Sequence, residues 1–227
     1  MRERLFLSLL VLPLVSGIVS CATETTTSDG LASARSGRVD ELYFRPNTDI
    51  SAYRRVLIDR VPVEFANDFV NQKGGPNYLL AQQLDRPYQD PEEIRQDFSA
   101  LMHASLTRAF GTANYEIASS SGPGVLRIVA KISDLYINAP DRMSSTTRAS
   151  FNRDTGQATF SLEAIDSTTG VVLARVVHRN IVRQATRFDL ASDTSNRLWF
   201  ATAFERWASN VATELGNSGR AQVSALR

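Results

Sequence analysis

Cys21 is the only cysteine in the chain, His103 and His178 are the only imidazoles, and Asp59, Asp134 and Asp166 are carboxylates in or beside β-forming runs. A nucleophilic enzyme needs a nucleophile with a base in reach. Here the one thiol follows an apolar leader, and neither histidine stands in a catalytic motif. His103 falls in a helical stretch and reads as a surface or boundary residue; His178 falls in a strand and reads as a residue partnered within the sheet. Two histidines without an H-E-x-x-H pattern or a cysteine cluster do not supply the three or four ligands a zinc site needs. Gly74, Gly75, Gly122 and Gly124 match neither a P-loop nor a dinucleotide fingerprint and read as turns. No catalytic, metal or cofactor residue is therefore assigned.

Two constellations keep a functional reading. Any two of Asp59, Asp134 and Asp166 would make a hydrolase only if they met about 5 to 9.5 Å apart in an open cleft. Arg175, Arg179 and Arg183 recur every four residues in a strand, which places them on one face as a candidate stripe for an anionic partner. Val177 and Ile181 share that face, so a solvated outer surface is the simpler account. Asp90, Glu92, Glu93 and Asp97 cluster where a helix begins, and capping and the helix dipole explain them.

Cys21 has a more specific setting. Arg2 and Arg4 precede an uncharged, mostly apolar run from Leu5 to Val19, shorter than the roughly 20 residues a spanning helix requires. Ile18, Val19 and Ser20 then precede the cysteine in the order of a bacterial lipobox, the recognition sequence of the lipoprotein signal peptidase. Residues 1–20 are therefore expected to be a cleaved signal peptide and Cys21 the lipidated mature N-terminus. The acyl chains would bind the membrane at about 0.8 kcal/mol per buried methylene. Ala22 stands where an aspartate would retain a Gram-negative lipoprotein at the inner membrane, so the outer membrane is the expected address.

Loss of Arg2, Glu3 and Arg4 from a chain with 25 basic and 24 acidic residues leaves 23 of each. That balance gives no general attraction to nucleic acid. The mature length of about 207 residues suits one domain. With no second cysteine, stability must come from the core alone.

Residues 21–37 are rich in Thr, Ser, Ala and Gly and read as a lipidated N-terminus and flexible tether, the 16 residues from Ala22 to Gly37 reaching about 20 to 24 Å. Residues 38–216 are expected to fold. Tyr53–Phe65 is a β-rich run interrupted or bulged at Pro62. Asn71–Pro76 is loop chemistry, and Asn77–Leu84 suits a short helix. A longer helix is expected from Asp90, as cap, to Gly111, with Ile94, Phe98, Leu101, Ser105 and Ala109 as its packing stripe. Leu126, Ile128, Ala130 and Ile132 alternate as a half-buried strand. Ala158–Asp166 and Val171–Arg183 form a hairpin about Asp166–Gly170. A last helix starts near Asp193 or Thr194, buries Phe200, Phe204, Trp207, Val211 and Leu215, and ends at Gly216. Residues 217–227 read as a disordered tail.

This order predicts an α+β fold: a single domain with a mostly antiparallel sheet and two main helices packed on one face. Tyr53–Val61 (YRRVLIDRV) and Gly122–Arg127 (GPGVLR), continuing to Ile132-Ser133-Asp134, resemble a family of bacterial lipoproteins known as domain of unknown function 3313 (DUF3313). The resemblance implies an envelope lipoprotein and no substrate, cofactor or catalytic residue. The function expected is a lipid-anchored, non-catalytic binding or accessory module of an envelope complex, with the membrane and an unidentified envelope protein as partners. The alternatives are a carboxylate-dependent envelope hydrolase and a carrier of a small apolar ligand.

Overall fold

The computed structural model describes residues 26–66, 91–137, 151–154, 156–181, 184–190 and 193–225. Ile18–Cys21, Asn71–Leu84, Asp90 and Arg183 lie outside the described residues.

The described strands are β1 (Ala32–Ala34), β2 (Glu41–Phe44), β3 (Arg55–Ile58), β4 (Val63–Phe65), β5 (Glu116–Ile117), β6 (Val125–Ile137), β7 (Phe151–Asp154), β8 (Gly156–Asp166), β9 (Val172–Ile181) and β10 (Gln184–Leu190). The helices are α1 (Pro91–Thr112) and α2 (Asp193–Ala225), with a 3-10 turn at Ile50–Ala52. One eight-stranded sheet runs β1-β2-β9-β8-β6-β3-β5, with β4 also paired to β6, while β7 and β10 form a two-stranded ribbon. Both helices pack on one face of the sheet and against each other. The chain is a single α+β domain, as its pattern predicts.

The sheet is mixed. The β8–β9 hairpin is antiparallel with the expected turn, and β6 pairs antiparallel with β8. β3 and β4 both run parallel to β6, on the same edge and in succession. The run Tyr53–Phe65 breaks where Pro62, which lacks an N–H, gives only its carbonyl to Ile132 N at 3.0 Å.

Alternation places Leu126, Ile128, Ala130 and Ile132 of β6 and Ala158, Phe160, Leu162 and Ala164 of β8 on the covered face. From α2, Phe200, Phe204, Trp207, Val211 and Leu215 are each 0% exposed. Burial of each such side chain stabilises by about 1.5–3 kcal/mol. Phe98 of α1 meets Phe200 at 4.9 Å and Phe204 edge-on at 5.7 Å between ring centroids, which joins the two helices.

Four features differ from the sequence expectation. The tether expected over residues 21–37 already contributes to the sheet: Thr26 bridges Ala32, β1 pairs with β2, and Leu31 is fully buried. An edge strand needs backbone partners more than apolar side chains, so Ala32-Ser33-Ala34 carries no compositional signal. α1 runs one residue past Gly111 to Thr112 and is closed by Asn114, which takes φ 65°. Asn114 N donates to Gly111 O at 3.1 Å and Tyr115 N to Phe110 O at 3.0 Å, with the Tyr115 ring against Phe110, a complete Schellman cap. The buried stripe of α1 is Phe98, Ser99, Met102, Ser105, Leu106 and Phe110, with Ile94, Leu101 and Ala109 at its margin, so it is rotated from the expected stripe. Finally, α2 passes through Gly216 and continues to Ala225, across most of the stretch expected as a tail. Gly216 is exposed, and helical φ/ψ costs glycine only about 1 kcal/mol, too little to stop a helix already anchored by its core face.

Candidate functional site

The turn between β8 and β9, the entry to β3 and the segment after β2 converge at one end of the sheet. They enclose an open cleft of about 570 Å³ lined by residues that include Arg45, Asn47, Asp49, Tyr53, Asp166 and Thr169. Asp166 organises it. One carboxylate oxygen accepts from Thr168 N at 2.9 Å, Thr169 N at 2.7 Å and Thr169 Oγ1 at 3.0 Å, and the other from Tyr53 Oη at 2.6 Å. The Tyr53 hydrogen bond, with those from the turn, holds the Asp166 carboxyl down to about 2. Burial, the hydrogen bond to Asp166 and its negative charge push the Tyr53 hydroxyl up to about 12. At neutral pH the proton stays on the phenol and the carboxylate stays charged, so neither group is poised for proton transfer. Arg45 is committed to backbone, donating from Nε to Val172 O at 2.7 Å and from Nη2 to Asp29 O at 3.0 Å.

The three carboxylates weighed as a hydrolytic pair are held in separate places. Asp59 forms a bidentate pair with Arg127 on the uncovered sheet face, accepting from Nε at Oδ1 (3.1 Å) and from Nη2 at Oδ2 (2.7 Å). Asp166 lies at the β8 end, opposite Leu126. Asp134 sits eight residues farther along β6, about 26 Å at strand rise, exposed at a bulge with φ 53°. Of the three, only Asp166 lines the cleft. An apolar carrier would need a largely apolar pocket, whereas charged Arg45, Asp49 and Asp166 line this one.

His103 is exposed on α1. His178 is buried on β9, its ring edge-on to Trp207 at 5.5 Å and its Nδ1 3.4 Å from Asp40 Oδ2. Burial lowers its pKa; the Asp40 carboxylate opposes and Arg206 assists that shift. Among the described residues no group of three or more His, Cys, Asp or Glu could hold a metal ion.

Arg175 and Arg179 share the uncovered face, as their spacing predicts, and each is engaged within the sheet. Arg175 donates to Glu163 Oε1 at 3.0 Å from Nε and 2.8 Å from Nη2, and also pairs with Asp29; Arg179 pairs with Glu41. Cross-strand registry puts Glu163 directly opposite Arg175, a relationship invisible until the strands are aligned. The Tyr53–Asp166 contact was likewise missed, because 113 residues separate its partners; the only local signal was the turn-forming Asp166-Ser167-Thr168-Thr169-Gly170. No described helix is long and apolar enough to cross a membrane.

Among solved structures, a neuraminyllactose-binding hemagglutinin homolog from Helicobacter pylori is similar at 10% identity, covering 79% of this chain and 93% of that one, with a TM-score of 0.42. The PelC dodecamer protein of Paraburkholderia phytofirmans is similar at 12% identity over 74% of this chain and 96% of that one, with a TM-score of 0.32. A Xanthomonas campestris protein of family DUF330 follows at 15% identity, 77% and 90% coverage and a TM-score of 0.30. No curated protein matches. A family model described as protein of unknown function (DUF3313) matches residues 22–211, and the chain belongs to that family.

Proposed function

We propose that the protein is a lipid-anchored, non-catalytic accessory module of the bacterial envelope, attached through Cys21 to the outer membrane and binding another envelope component. The observation that carries this reading is the order of charged start, apolar run and Ile18-Val19-Ser20-Cys21. The family match supports it by starting at residue 22, directly after the cysteine. Dispersal of Asp59, Asp134 and Asp166, and a cleft whose Tyr53 and Asp166 titrate far from neutrality, support a binding role over a catalytic one.

Cell fractionation of a Cys21→Ser variant is the test. The wild-type chain should sediment with outer membranes and the variant should not, and crosslinking in intact cells should recover a specific partner only with the anchored form. Equal membrane association of both would remove the anchor from the account.

A further inference from the structure

We infer that the domain stands on the β1 edge of its sheet at the membrane surface, with Arg35 at that edge contacting anionic lipid headgroups. This rests on the anchor proposed at Cys21.

Reach limits how the domain can sit. Thr26 already bridges Ala32, so the leash from Cys21 is five residue steps, about 18 Å when fully extended. β5 lies six strand spacings from β1, about 29 Å across the sheet. The β1 edge is thus bound close to the bilayer, and the β5 edge comes equally close only if the sheet lies flat.

Charge favours the same edge. A flat arrangement on the uncovered face would press Arg127–Asp59, Lys131–Glu64, Arg175 with Glu163 and Asp29, and Arg179–Glu41 against the membrane. Each of these cations already has its carboxylate, and Arg55 on the same face donates to Pro123 O at 2.8 Å, so that face offers anionic headgroups little net attraction and would lose hydration to reach them. Ser33, Arg35 and Arg38 are exposed in and just after β1. Arg38 reaches Glu214 at 3.5 Å, whereas Arg35 makes no ion pair among the described residues. A cation beside an anionic bilayer is attracted to it, and the short leash holds Arg35 there.

Distance to the bilayer plane decides the matter. If acylation occupies the Cys21 sulfur, a thiol introduced as Ser33→Cys or Ile117→Cys is the only one free for a fluorescent label; residue 117 is 42% exposed on β5. Acylated protein is reconstituted in phosphatidylcholine vesicles containing phosphatidylglycerol, with headgroup acceptors in the outer leaflet. The label at residue 117 should lie about 29 Å farther from the acceptor plane than the label at residue 33. That difference should shrink when phosphatidylglycerol is omitted or Arg35 is changed to Glu. Equal distances would show a flat domain and overturn the inference; a difference insensitive to Arg35→Glu would overturn the role of Arg35. Protein that carries no acyl mass and does not float with vesicles would defeat the anchor itself, by a separate readout, and the edge-on arrangement with it.

Discussion

The Tyr53 hydroxyl donates a 2.6 Å hydrogen bond to Asp166, tying the entry of β3 to the β8–β9 turn across 113 residues of chain. β3 and β8 flank β6 on opposite sides, so this one bond closes the end of these three adjacent strands over the cleft.

Tyr53→Phe should therefore lower stability by about 1 kcal/mol, the worth of a charged hydrogen bond discounted for solvent screening. The acid limb should change too. The folded carboxyl sits at about 2 against an ordinary 3.8, so its stabilisation is complete above about pH 4 and is lost as pH falls towards 2. In Tyr53→Phe that loss should be smaller, measured by urea unfolding between pH 2 and 6. The raised phenol acts at the other end, its stabilisation being lost as pH rises from 10 to about 12.

His178 makes a second pH prediction of its own. Its folded pKa is lowered, chiefly by burial, below the ordinary 6.5. The unfolded chain takes up the proton first, so stability should fall as pH drops below about 6.5. Replacing His178 by Gln should flatten that segment of the stability curve, whatever it does to stability at pH 8.

Gly156 has φ 154°, and a Cβ there would lie 2.2 Å from Tyr136 O and 2.9 Å from Phe200 Cζ. Backbone and a fully buried ring cannot both yield. Gly156→Ala should cost about 3 kcal/mol, read as a thermal midpoint lowered by several degrees.

Asn114 holds the left-handed position of the α1 cap. Asn114→Gly should be neutral or slightly stabilising, and Asn114→Ala should cost about 1 kcal/mol, because only the second places an ordinary side chain at φ 65°. Equal melting of the two variants would contradict the cap.

What was legible in the chain was whatever a local period determines. The five large side chains from Phe200 to Leu215 recur at helical spacing, and each is buried. Leu126 to Ile132 and Phe160 to Ala164 alternate, and the turn from β8 into β9 carries its own signal at Asp166–Gly170. What was not legible depends on pairing between distant segments. β1 is a strand because β2 offers it backbone partners, although Ala32-Ser33-Ala34 looks like a linker. The parallel alignment of β3 with β6 is set by the crossover through α1. The cleft followed the same rule: the Asp166 turn was visible, whereas its partner Tyr53 and the Glu163 opposite Arg175 needed the register.

The most direct measurement of the central claim is the mass of the N-terminal peptide of protein purified from bacterial membranes. A lipid-anchored protein should give a chain beginning at Cys21 and carrying acyl groups. A chain that retains residues 1–20, or one that begins near Cys21 without any added lipid mass, would contradict it.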